Sequence, residues 1–102
     1  MKAIRVYPEA LREAEDAIEW YGQRSTHAAR GLVTELRSAM ERIRQAPSQF
    51  PKLAFDAQRV VLGRFPYVVV FRETRTEIET VAVAHGRRRP GYWRERLSGD
   101  RH

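Results

Sequence analysis

The stretch RVVLGRFPYVVVFRETRTEIETVAVAH (59–85) decides the fold. It contains three apolar runs in quick succession: RVVLGRF (59–65), PYVVVFRE (66–73) and EIETVAVAH (77–85). Their β-branched and aromatic content argues for strands. TRT (74–76) leaves room only for a tight hairpin turn between the second and third. YVVVF is apolar at successive positions, so both faces are covered and this strand is central. Pro66 stands at its start, where a missing backbone donor is tolerated.

Upstream, PSQFPKLAFDA (47–57) holds two prolines and reads as a loop pinned by Phe50, Leu53 and Phe55. Before it, Ala29, Leu32, Val33, Leu36, Ala39, Met40 and Ile43 recur at helical spacing. Ser25 or Thr26 can cap this helix, and Pro47 ends it. Leu11, Ala14, Ala17, Ile18 and Tyr21 mark another helix over 8–22, with Pro8 in its first turn and Gly22 as its stop. Its other face carries Glu9, Glu13 and Asp16. The short connection makes the two helices an antiparallel hairpin, with Ala14, Ala17 and Ala29 allowing close approach. KAIRVY (2–7) is a short first strand, Ile4 and Val6 on one face and Arg5 on the other. The order β-α-α-β-β-β predicts one α+β domain over residues 1–102. A helical hairpin covers one face of a small, mostly antiparallel sheet, and a basic C-terminal tail follows.

Composition sets the partner class. The net charge of +6 is unevenly spread: residues 1–57 carry nine Lys+Arg against eight acids, and residues 58–102 carry ten arginines against five. A planar, always-charged guanidinium suits phosphate and carboxylate, so the second half predicts an anionic partner. There is no cysteine, which removes disulfides and thiolate metal sites. Three scattered histidines without matching carboxylates make no metal site, and no cofactor is implied. His27 and His102 receive no role. No apolar run nears the roughly 18 residues of a bilayer span, and none reads as a signal peptide, so the expected location is cytoplasmic.

Strand parity places Arg59, or else Arg64, with Arg72 and the start of the tail on the uncovered face of the sheet. Arg72 and Arg75 read as solvated turn residues. The tail AVAHGRRRPGYWRER (82–96) gathers one imidazole, five arginines and two flat rings. Pro90, Trp93 and Leu97 are expected to pack it against the sheet. His85 can be a strand-closing hydrogen-bond partner or a general acid or base. Tyr92 and the arginines could stack a base and hold its phosphates. His85, Arg87, Tyr92 and Arg64 are the candidate catalytic group for phosphodiester cleavage. Arg59, Arg64, Arg87, Arg88, Arg89 and Arg94 are the candidate binding group.

The pairing of FPYVVVFRE (65–73) with AVAHGRRRPGYW (82–93), in this element order, resembles RelE/ParE-type toxins of type II toxin–antitoxin modules, the plasmid stabilisation protein family. The resemblance spans about residues 2–97. It implies a growth-arresting toxin neutralised by a cognate antitoxin, whose acidic or apolar segment wraps the helices and sheet groove. RelE-like members cut mRNA on the ribosome as mRNA interferases, which would engage Arg59, Arg64, His85, Arg87 and Tyr92. ParE-like members poison DNA gyrase and need no nuclease site. The chain departs from the RelE pattern near the second strand, where only Lys52 remains of the lysines and Asp56 stands near the place of a glutamate base. Helices of about 15 and 20 residues resemble ParE more. A non-catalytic binding module for nucleic acid or protein, and a degenerate toxin, remain alternatives.

Overall fold

A computed structural model describes residues 1–97, so His102 lies outside the described residues. The chain runs β1 (Ala3–Val6), α1 (Pro8–Gly22), α2 (Thr26–Gln45), β2 (Ala57–Val61), β3 (Tyr67–Glu73) and β4 (Glu77–His85), with short 3-10 turns at Pro47–Gln49, Ala54–Asp56 and Tyr92–Arg96. The sheet order is β1-β4-β3-β2; β1 is parallel to β4, and the other pairs are antiparallel. This is the expected α+β architecture. Ser25 caps α2 by accepting a hydrogen bond from the Ala28 N–H at 3.1 Å.

The strands separate two apolar layers by parity. On one face Val60, Leu62, Val69, Phe71 and Ile78 pack against Ala17, Leu32, Ala39 and Ile43 of the helical hairpin. On the other, Ala57, Val70, Val81 and Ala82 meet Tyr7, Ala10 and Trp93, with Leu53, Tyr92 and Leu97 at the margin. A bulge sets the two layers: Val70 pairs with Ala82 but Phe71 pairs with Thr80, leaving Val81 as the extra residue. The central strand β4 is buried along nearly its whole length.

Several local expectations change. β2 starts earlier and ends at Val61, because Gly63 and Arg64 leave the sheet to meet Glu35 of α2. Leu11 is half exposed, and Ala10 takes the buried position in its place. Phe55 does not pin its loop inward; it is 57% exposed. The hydrogen bond from Leu53 N–H to the Ala57 carbonyl closes this loop at 2.6 Å and drives Phe55 and Asp56 to positive φ, both 61°. Left-handed backbone costs an ordinary residue about 1 kcal/mol or more. Pro90 is exposed, while Trp93 and Leu97 do pack as expected.

Replacing the fully buried Leu32 by Ala is expected to lower unfolding free energy by about 2–5 kcal/mol. Leu11→Ala is expected to change it by no more than about 0.5 kcal/mol. Urea unfolding of both variants checks the register of the helices against the sheet, and a reversed ranking would contradict it.

Candidate functional site: an arginine-rimmed cleft

The Glu13 carboxylate ties the tail to the first helix and to β4. Glu13 of α1 accepts hydrogen bonds from the Val83 N–H at 2.9 Å, the Tyr92 hydroxyl at 2.6 Å and two Arg96 nitrogens at 3.0 and 2.8 Å. Arg96 also donates to the Val81 carbonyl at 2.9 Å. Burial pushes the Glu13 carboxyl up, but the bonds from Arg96, Tyr92 and Val83 outweigh it and hold the group below its ordinary range. Burial, and then the Glu13 carboxylate, push the Tyr92 phenol well above its usual value. Gly91, at φ 76°, supplies the left-handed turn that starts the last 3-10 segment and sets Trp93 on the sheet.

The structure sorts the arginines of the second half into two groups. Arg64 pairs with Glu35 at 2.8 Å, Arg72 with Glu79 at 2.8 Å, and Arg96 with Glu13 at 2.8 Å. Arg72 is therefore no solvated turn residue: its carboxylate partner Glu79 is buried and is also held by Arg5 and the Tyr7 hydroxyl. Among the described residues Arg59, Arg87, Arg88, Arg89 and Arg94 carry no ion pair, as does Arg75 in its exposed turn. Arg88 stacks on the Tyr92 ring at 3.7 Å, and Arg94 lies 5.8 Å from the Phe55 ring centre.

Four of these unpaired arginines meet at one place. Arg59, Arg88, Arg89 and Arg94 line a cleft of about 400 Å³ on the sheet face away from the helices, floored by Val68, Val70, Ala84 and Trp93. Among the described residues no carboxylate lines it. His85 stands on its wall and on that of a neighbouring acidic and aromatic cleft formed with Asp16, Trp20, Tyr21 and Tyr67. The His85 Nδ1 accepts the Arg87 N–H at 3.0 Å, so the neutral ring carries its proton on Nε2. Its edge meets Tyr67 at 5.1 Å. An apolar floor beneath an unpaired cationic rim can hold an anion that has a flat apolar part.

Of the residues singled out in the sequence, Arg59, Arg88, Arg89, Arg94, His85 and Tyr92 are brought together around this cleft. Arg87 reaches it only through its backbone bond to His85. Arg64 turns back to α2 and lines neither cleft. The Tyr92 ring lines the cleft, but its hydroxyl is committed to Glu13. Glu13 itself was legible only as one acid on a helix face. Phe55, beside Arg94, read as loop packing. Among the described residues no group of three or more His, Cys, Asp and Glu side chains is placed to hold a metal ion.

Residues 4–90 match the family described as the ParE toxin of the type II toxin–antitoxin system parDE. Among solved structures, a chain of the chromosomal ParDE toxin–antitoxin system from P. aeruginosa has a similar fold, with a TM-score of 0.72 at 17% identity. The alignment covers 83% of this chain and 96% of that one. No curated protein matches.

Glu13→Ala removes the acceptor of the Tyr92 hydroxyl and the Val83 N–H, and the carboxylate partner of Arg96, in a half-buried site. It is expected to cost about 2–3 kcal/mol in chemical denaturation at neutral pH. Because the folded Glu13 value is depressed, its contribution is present above the ordinary carboxyl range and is lost as the pH falls through the folded value. The gap between wild type and Glu13→Gln should therefore narrow on acidification. A gap independent of pH would contradict the clasp.

Proposed function

This chain belongs to the ParE family of toxins from type II toxin–antitoxin systems, and from that premise we propose that it arrests bacterial growth by poisoning DNA gyrase rather than by cutting mRNA. Its target is engaged by the rim of Arg59, Arg88, Arg89 and Arg94, with Arg87 beside it. The observation that carries this reading is the state of Tyr92. Cleavage by a 2′-hydroxyl needs a base, an acid for the leaving oxygen and positive charge at one phosphate. The Tyr92 phenol is bound to a carboxylate and shifted away from acidity, so it makes a poor proton donor. Arg64 is neutralised by Glu35 on the helix side. His85 alone keeps an open nitrogen at the cleft, which supports a binding face over a cleavage site.

The family implies a cognate antitoxin. An acidic or apolar antitoxin segment suits the chain, because masking unpaired arginines removes the charge that reaches the target. Among the described residues no helix is long and apolar enough to cross a membrane, and the proposed place of action is the cytoplasm.

Inducible expression in bacteria, with DNA and RNA read from the arrested cells, tests the mechanism. Tyr92→Phe is expected to remain toxic, at a stability cost of about 1 kcal/mol. Arrested cells should show DNA breaks and an SOS response with intact mRNA. Codon-phased mRNA cuts that disappear in His85→Ala would overturn the gyrase reading in favour of a ribosome-dependent nuclease.

A further inference from the structure

Phe55 has no role in the packing of either core. It is one of the most exposed large apolar side chains of the protein, and its backbone is held at φ 61° and ψ 33° in a turn closed by Leu53 and Ala57. A side chain displayed at such a position, where Gly or Asn would sit without strain, is a candidate for contact rather than packing. Its neighbours Leu53 and Ala54 line the arginine-rimmed cleft, and its ring lies beside Arg94. An exposed flat ring, unpaired guanidiniums and an apolar floor that no carboxylate of the described residues lines therefore share one surface. That is the composition of a surface for unpaired bases: rings for the base faces and cations for the phosphates between them.

From this juxtaposition we infer that the cleft binds an unpaired segment of nucleic acid, one base stacking on Phe55 and the flanking phosphates resting on Arg59, Arg89 and Arg94. A duplex cannot enter the cleft or stack on Phe55, since its base faces are already stacked and a cleft of about 400 Å³ admits no helix; it can meet the arginines only through its phosphates. The inference rests on the reading of this cleft as the target-contacting face, and it names the chemistry contacted there: exposed strand, in addition to any protein surface.

Fluorescence anisotropy on the full chain tests it with labelled oligothymidylate, oligouridylate, a hairpin duplex of equal charge and polyglutamate. Either single strand should bind more tightly than the duplex and the polyglutamate. Phe55→Leu keeps an apolar side chain without a ring and should weaken strand binding about tenfold, leaving duplex binding unchanged. Phe55→Gly should do the same while relieving the backbone, so a retained or raised melting temperature excludes misfolding as the cause. Arg59→Gln and Arg94→Gln should each reduce the salt slope of strand binding by about 0.7. Equal affinity for strand and duplex, tighter binding of polyglutamate, or no effect of Phe55→Leu would each overturn the inference. The assay contains neither host nor gyrase. Its failure thus leaves the growth-arrest mechanism standing, and intact DNA in arrested cells would leave a strand-binding result standing.

Discussion

The carboxylate of Glu13 is where the first helix, the central strand β4 and the C-terminal segment are tied together. The tail is also held to the sheet by Trp93, Leu97 and the bond from Arg96 to the Val81 carbonyl. Together these contacts make the segment 86–96 a wall of fixed geometry, and Arg88, Arg89 and Arg94 face Arg59 across a cleft. The same carboxylate consumes the Tyr92 hydroxyl and Arg96. One half-buried acid therefore places the cationic rim and engages the Tyr92 hydroxyl.

The rest of the charge follows the same logic of burial against pairing. Glu79, beneath the sheet, collects Arg5, Arg72 and Tyr7; Glu35 collects Arg64 and two backbone N–H groups. A buried carboxylate without such partners would be costly, and a paired one contributes more to register than to net stability. Apart from Arg75 in the β3–β4 turn, the arginines of the second half that remain unpaired among the described residues are gathered at the cleft and the adjoining turn of Arg87. A chain that clusters unneutralised arginines stores mutual repulsion there, which an anionic partner relieves.

Much of this fold was legible because its local signals agree. Valine-rich runs with a three-residue turn define β3 and β4, and Ser25 and Pro47 bound α2 almost to the residue. What escaped depends on contacts between distant residues. The acid at position 13 meets Tyr92 and Arg96 only after the sheet has formed, and no helical periodicity distinguishes it from Glu9 or Asp16. Leu11 fits the apolar stripe by spacing, yet Ala10 is the residue turned inward, because the β1–α1 junction at Tyr7 sets the helix rotation. Phe55 reads as an apolar anchor in any one-dimensional scan; only the closed turn from Leu53 to Ala57 turns it outward. For the site, parity left Arg59 and Arg64 as alternatives for the uncovered face. The choice depended on Glu35, an acid on a helix far away in sequence, while Arg72 is taken by Glu79 across the β3–β4 pair.

The central claim is that the arginines divide into those that hold the fold and those that meet the target. A glutamine scan of Arg59, Arg64, Arg72, Arg88, Arg89, Arg94 and Arg96, reading melting temperature and growth arrest for each variant, tests that division most directly. The account predicts that Arg72→Gln and Arg96→Gln lower the melting temperature. Substitutions at Arg59, Arg89 and Arg94 should leave it in place and relieve the arrest. Full toxicity with every cleft arginine replaced, in variants that melt like the wild type, would contradict the account.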